Sequence, residues 1–288
     1  MRIAVVGPGR VGTLLAVSAS RAGHRVVAVA GGSAESRDRL TRMVAGIRSY
    51  AAGPEAVREV ELILLCVPDD ALRTVVTELV VADAIRPGQR VVHVAGAQGR
   101  DVLERAAAAG AQVAACHPAM TVPVGSVDPG LLHGVAWAVT AGRSDRAWAH
   151  AFVEDLGGDP CDVPEDRRAL YHAALAVGAN AVGAAVATAR QLLLAASVAE
   201  PAPFLRPLAH ASVDASADRG AVALTGPVVR GDTATVSAHL AAIEADVPML
   251  SEAYRLHALA TLEPLRAQLD AATVAALDAL LASDPKEY

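Results

Sequence analysis

Lysine is almost missing from this chain: the one residue among 288 is Lys286, in the polar C-terminal tail. A Schiff base, or a lysine that donates a proton, needs its ammonium held in a pocket, so both mechanisms are disfavoured at the outset. Cysteine is nearly as scarce. Cys66, Cys116 and Cys161 are odd in number and have no CxxC spacing, which argues against a disulfide framework and against a zinc site. They read as small core residues. Six histidines, His24, His133, His150, His210, His239 and His257, show no paired spacing with Cys or Glu, so no metal site is expected. There is no basic run and the net charge is -6, which argues against a nucleic-acid partner. Apolar stretches such as 173–189 are rich in Ala and Gly and bounded by charge and Pro, so no membrane span is expected. The chain starts directly on an apolar run and a glycine turn, with no charged leader before them, and a cytoplasmic location is the expectation.

What is present reads as two globular domains. The composition is 53% hydrophobic and 19% charged, ordinary for folded proteins. Residues 2–6 form a short apolar run that ends in Gly7-Pro8-Gly9-Arg10-Val11-Gly12, followed by a helical pattern to Arg21 and a second apolar run over 25–30. The alternation continues: strand 61–67, helix 69–80, strand 90–94, helix 99–109, strand 112–116, then short strands at 136–141 and 160–163. Repeated βαβ units of this kind imply a doubly wound parallel sheet. After Pro164 only helices are expected, over 166–197, 203–217, 233–245, 248–260 and 270–282, with breaks at prolines and glycines. The fold class is therefore α/β, an N-terminal doubly wound parallel Rossmann sheet over 1–163 followed by an all-α C-terminal domain over 164–288.

The sequence GPGRVG fits the G-x-G-x-x-G turn of dinucleotide-binding domains. Gly7 would make the tight turn, Gly9 would let backbone amides approach a pyrophosphate, and Gly12 would let helix and strand pack closely. The phosphate would then lie at a helix N-terminus, beside Pro8, Arg10 and Val11. An acidic residue is expected at the end of the second strand when the ribose hydroxyl of NAD is recognised. Here that stretch reads Gly31-Gly32-Ser33-Ala34-Glu35-Ser36-Arg37. Ser33, Ser36 and Arg37 suit a 2′-phosphate, so NADP is the expected cofactor. The competing reading makes Ser33 a helix cap and Arg37 a solvated charge.

These motifs, with Val67-Pro68-Asp69-Asp70, His93-Val94-Ala95-Gly96-Ala97, Cys116-His117-Pro118, Tyr171-His172 and the loop Leu224-Thr225-Gly226-Pro227-Val228-Val229-Arg230-Gly231-Asp232, are similar to those of the 6-phosphogluconate-dehydrogenase-like reductases. That superfamily includes ketopantoate reductase, pyrroline-5-carboxylate reductase and prephenate dehydrogenase. The chain most resembles Rossmann-like proteins with a helical C-terminal domain of unknown function 2520. The resemblance implies cofactor contacts at Val67, Pro68, Ala95 and Gly96. Two departures stand out. Ala95 replaces a serine of that family's pattern, and Ala176, four residues before Asn180, stands where hydroxyacid dehydrogenases carry a catalytic lysine.

Hydride transfer to C=O or C=N needs a proton or hydrogen-bond donor beside the nicotinamide. His117, beyond the strand 112–116, is the first candidate, and His172 and Asn180 would fix the substrate from the second domain. Tyr171 or a water is next in line. His172 and Asn180 lie about 12 Å apart along one helix and differ by roughly 80° in azimuth, so they would line different parts of a cleft. Thr225 and Arg230 are candidates for the substrate, Arg230 as a fork on a carboxylate. Asp232 could equally be a helix cap. The expected function is an NADPH-dependent reductase of a small oxo acid or cyclic imine, against the alternative of a nucleotide-binding sensor or scaffold. The apolar helices after 173 need burial on more than one face, which leads to the expectation of a homodimer through the C-terminal domain.

Overall fold

The computed structural model describes residues 1–123, 125 and 127–282; Lys286 lies outside the described residues. The chain divides into two compact units, Met1–Ala176 and Val177–Tyr288. Segment 164–176, which the sequence assigns to the second domain, therefore sits in the first unit.

The first unit runs β1 (Arg2–Val6), α1 (Arg10–Arg21), β2 (Arg25–Ala30), α2 (Ala34–Met43), β3 (Arg48–Tyr50), α3 (Gly53–Val57), β4 (Leu62–Leu65), α4 (Leu72–Val81), β5 (Arg90–His93), α5 (Glu104–Ala108), β6 (Gln112–Pro118), β7 (Ala136–Ala141), α6 (Arg146–Asp155), β8 (Asp159–Asp162) and α7 (Arg168–Ala176). It keeps the expected strands and adds α2, β3, α3 and α6, which were not expected. The strands form one sheet in the order β3-β2-β1-β4-β5-β6-β7-β8. Strands β1 to β6 are parallel throughout, as expected. The expectation fails at one place: β7 pairs antiparallel with β6, and β8 runs parallel to β7.

Alternation along the central strands explains the two layers of helices. Ile3, Val5, Leu62 and Leu64 face a core completed by Leu14 and Leu15 of α1, Leu40 of α2, and Trp148 and Phe152 of α6. Ala4, Val6, Ile63 and Leu65 face the other way, onto Val57, Leu72, Val76, Leu79 and Leu103. With both faces covered, the strands read as unbroken apolar runs, and their carboxyl ends are left as the free polar edge.

The second unit is helical among its described residues: α8 (Val182–Ala195), α9 (Ala202–Arg219), α10 (Thr233–Asp246), α11 (Ser251–Leu262) and α12 (Ala271–Leu281). A π-helical turn, Val177–Ala181, precedes α8. Asp232 and Asp270 cap α10 and α12 by accepting from the amides of Thr235 and Thr273. Val236, Leu240, Leu262, Leu277 and Leu281 form its core. No residue of α8 or α9 is buried. The run Glu165–Ala195 is long and apolar enough to cross a membrane by length and composition, yet Arg168 near its start donates to three carbonyls of the first unit.

Gly12 packs closely against the Gly7 turn and Cys66. A Cβ there would lie 2.3 Å from the Gly7 carbonyl oxygen and 3.0 Å from Cys66 Cβ, whereas a Cβ on Gly9 would meet nothing within 4 Å. Gly12→Ala should therefore cost about 2 kcal/mol of unfolding free energy, and Gly9→Ala clearly less, since it loses only the preference for glycine at the start of a helix. Urea midpoints of the two variants check this; a Gly12→Ala protein as stable as Gly9→Ala would contradict the packing.

Candidate active site

The carboxyl ends of the strands gather most of the residues singled out from the sequence. Gly7 ends β1 with φ +93°, its amide donating to the Ala30 carbonyl at 2.9 Å. That conformation is open to glycine and strained for other residues. Gly9 is the N-cap of α1, and no side chain caps the helix. Pro8 is buried, Val11 half-buried, and Gly9 and Arg10 are exposed. The protein itself thus explains Gly7 and Gly12 but places nothing over Gly9. An exposed helix start with a bare backbone beside it fits a pyrophosphate. Val67 borders the same turn: a Cβ on Gly7 would lie 2.9 Å from its Cγ1. Pro68, next to it, is exposed and its carbonyl accepts from Ala71.

At the end of β2 the structure bears on the competing reading, in which Ser33 is a helix cap and Arg37 a solvated charge. Ser33 caps α2, its hydroxyl accepting from the Ser36 amide at 3.1 Å, while the Ser36 hydroxyl donates to the Ser33 carbonyl at 2.8 Å. Arg37 is not a solvated charge. Its Nη1 donates to the Gly31 and Gly32 carbonyls at 3.1 and 2.8 Å, and its Nε is buried with no protein partner. The guanidinium is held on one edge at the strand end, and no carboxylate follows β2 until exposed Glu35.

The third cluster lies beyond β5 and β6. His93 is buried; its Nδ1 accepts from the Ala95 amide at 3.2 Å, so its Nε2 carries the hydrogen and donates to the Gly99 carbonyl at 2.8 Å. Glu165 accepts from the amides of Arg100 and Asp101 at 3.0 and 3.2 Å. Arg168, 1% exposed, donates from Nε to Gln98, from Nη1 to Ala138 and from Nη2 to Ala95, at 3.0, 3.2 and 2.8 Å. The turn after β5, containing Ala95 and Gly96, is therefore stapled at both ends.

Against that turn stand the two candidate histidines. The Nδ1 of His117 and the Tyr171 hydroxyl are 2.9 Å apart, and the rings of His117 and His172 meet edge to face at 6.3 Å. Gly96 is required here: a Cβ would lie 2.5 Å from His172 and 3.1 Å from His117 Nε2. His172 is thus a member of the first unit and a neighbour of His117, not a group offered by the second domain. Burial, then the positive charge of Arg168, pushes His117 down to about 4. An ordinary histidine value near 6.5 does not apply, and His117 is neutral at pH 7. Burial raises the Tyr171 phenol above its usual value.

Asn180, Thr225 and Arg230 belong to the second unit. Asn180 is exposed in the π-helical turn. Thr225 and Arg230 are exposed in the loop before α10, which buried Val228 anchors. Sequence reading missed Glu165 and Arg168 altogether, because a charged helix start resembles a solvated surface. Among the described residues, no three side chains of metal-ligating type gather.

Two histidines held neutral make the fold sensitive to acid. Burial keeps His93, like His117, near about 4 against an ordinary 6.5. Between those values the unfolded chain binds the extra protons, so the stability that these two histidines contribute is complete above about 6.5, declines as pH falls, and is fully lost below about 4. For His93 alone the loss from pH 7 to pH 5 is about 2 kcal/mol. Urea unfolding of the wild type and of His93→Gln at the two pH values measures it; an equal loss in both would rule out His93 as the source.

Known proteins frame these observations. Residues 1–118 match a model described as Rossmann-like domain, and residues 135–261 match one described as domain of unknown function (DUF2520). No curated protein matches the chain. A Bacteroides fragilis structure, provisionally assigned as an NADP oxidoreductase, is 23% identical with a TM-score of 0.77, covering 91% of this chain and 98% of its own. An imine reductase from a Pseudomonas species is 21% identical, with a TM-score of 0.66 over 98% and 99% of the two chains. A reductive aminase from Aspergillus terreus, in complex with NADPH and ethyl-5-oxohexanoate, is 16% identical, with a TM-score of 0.67 over 93% and 94%. At these identities the likeness is one of fold. What the family models show for this chain is a Rossmann-like segment followed by a segment that matches a domain of unknown function (DUF2520).

Proposed function

We propose that the chain is an NADP(H)-dependent reductase of a small oxo acid or cyclic imine. The observation that carries this reading is the hydrogen-bonded His117–Tyr171 pair beside Gly96, at the same sheet edge as the bare Gly9 turn. In open α/β sheets that edge is where ligands bind. The names of the structural neighbours, an NADP oxidoreductase, an imine reductase and a reductive aminase solved with NADPH, support it.

Gly9, Arg10 and Val11 would take the pyrophosphate on the start of α1, and Arg37, whose Nε has no protein partner, would take a 2′-phosphate. Val67, Pro68, Ala95 and Gly96 would border the rest of the dinucleotide. The cofactor supplies the hydride. The chain's part is the proton. His117 is neutral, so it carries no imidazolium proton to give to the negative charge that develops on oxygen or nitrogen, and we assign the donor role to the Tyr171 hydroxyl, which burial keeps protonated and His117 keeps oriented. His172, exposed beside the pair, would contact the substrate. Asn180, Thr225 and Arg230 remain candidates for substrate contacts from the second unit.

The helical unit also needs a partner. Val182, Phe204, Leu208 and Val213 are 39%, 61%, 66% and 45% exposed, and α8 and α9 enclose an apolar groove of about 560 Å³. A second copy would cover these faces, and Arg230 could then serve the partner's site. Light scattering at micromolar concentration should give a dimer mass; a monomer would refute it.

Loss of NADPH absorbance against a panel of oxo acids and imines tests the main reading. Turnover of at least one member is expected, with NADPH bound more tightly than NADH. Arg37→Ala should weaken NADPH by about tenfold or more and leave NADH unchanged. Tyr171→Phe should lower kcat by about 10² to 10⁴ with NADPH affinity nearly intact. Tight NADPH binding without turnover of any substrate would instead favour a sensor or scaffold.

A further inference from the structure

The buried arginine was not among the residues read from the sequence, and the chemistry above does not use it. Its three carbonyl partners come from two separate segments. Gln98 and Ala95 belong to the turn after β5, and Ala138 is the residue of β7 paired directly with His117 across the antiparallel ladder. The turn carries Gly96, which lies against both His117 and His172. The same guanidinium sits 5.6 Å from the centre of the Tyr171 ring, one helical turn further along α7.

We propose that Arg168 is the positioning residue of this site: its guanidinium fork locks the Ala95–Gln98 turn to the strand opposite His117 and thereby sets where Gly96, His117 and Tyr171 stand. A planar fork with fixed donor directions suits three carbonyls at once, and lysine, with a single ammonium, does not. Glu165, on the turn before α7, secures the far end of the same segment by accepting from Arg100 and Asp101. His93 secures its middle through Gly99 and Ala95.

The fixed charge has a second effect. The groups that face His117 are Arg168, Tyr171 and His172 from α7 and His93 from β5. His93 is neutral and Tyr171 is protonated, while the negative charges of Glu165 and Asp69 act on Arg168 itself. Arg168 is therefore the permanent cation in this set, and it keeps protons off His117. Burial is the larger cause, so removing the charge should raise the His117 midpoint in part only.

The kinetic half of this inference rests on the reductase reading; the structural half does not. Arg168→Gln and Arg168→Lys, with ¹³C-labelled histidine rings followed by NMR, separate the two. In Arg168→Gln the His117 midpoint should rise by about one pH unit, and kcat should fall at least about tenfold with NADPH affinity nearly unchanged. Arg168→Lys should keep the low midpoint but recover only part of kcat, since the charge returns without the fork. A folded Arg168→Gln protein with an unmoved midpoint and a wild-type rate would overturn the proposal. If neither variant folds, the wild type still decides: the Arg168 Nε–H should give a slowly exchanging ¹⁵N signal, and a fast-exchanging one would overturn the proposal. A wild type that turns over no substrate would sink the reductase reading alone, because the midpoint and the exchange rate are read without substrate.

Discussion

A charged guanidinium that is 1% exposed must replace its hydration shell or be expelled, and the arrangement beyond β5 and β6 follows from how Arg168 does so. Burying a cation without partners costs several kcal/mol. Here main-chain carbonyls from the turn after β5 and from β7 supply the replacement. Carbonyls can face inward there only because the turn does not continue as a helix or strand. The irregular backbone from Ala95 to Gly99 and the buried cation therefore require each other. Each would be an unsatisfied polar group without the other.

The sheet makes the location possible. Central strands buried on both faces leave their polar ends as the one edge where chemistry-bearing residues can collect, and β1, β2, β4, β5 and β6 all end there. The reversal at β7 adds something a fully parallel sheet would lack. Because β7 runs antiparallel to β6, Ala138 stands directly across from His117, which gives Arg168 a carbonyl beside the histidine that it influences. β8 then returns the chain to the start of α7, where Glu165, Arg168, Tyr171 and His172 follow within two turns of helix.

The glycine turn and the long apolar strands were readable from the sequence because their signals are local: a motif at fixed spacing, and runs of Val, Ile and Leu. α6 carried a signal that the sequence reading left unused, with Trp148, Ala149, Phe152 and Val153 spaced for one helical face. The three-residue strand β3 did not, since its residues are exposed or half-buried and show no apolar run. Strand direction at β7 is a tertiary property that periodicity does not encode. Asp166-Arg167-Arg168 looks like a solvated helix start, and nothing local tells that the second arginine turns inward while the first stays out. The sequence also placed His172 in the second domain, because the break at Pro164 is a stronger local signal than the packing that keeps α7 with the sheet.

A fixed cation also bears on how a substrate of the proposed reductase would enter. A second unit charge about 6 Å from Arg168 would be repelled by about 3 kcal/mol at an effective dielectric constant near 20. The same repulsion that adds to burial in keeping His117 neutral would act on an iminium that arrived already protonated. It would act in the opposite sense on oxygen or nitrogen that gains negative character as hydride is delivered. The electrostatics therefore favour a substrate that binds neutral and takes its proton late. That order of events suits a phenol such as Tyr171, whose proton stays in place until a strong base forms beside it, better than an imidazolium, whose charge the site does not tolerate.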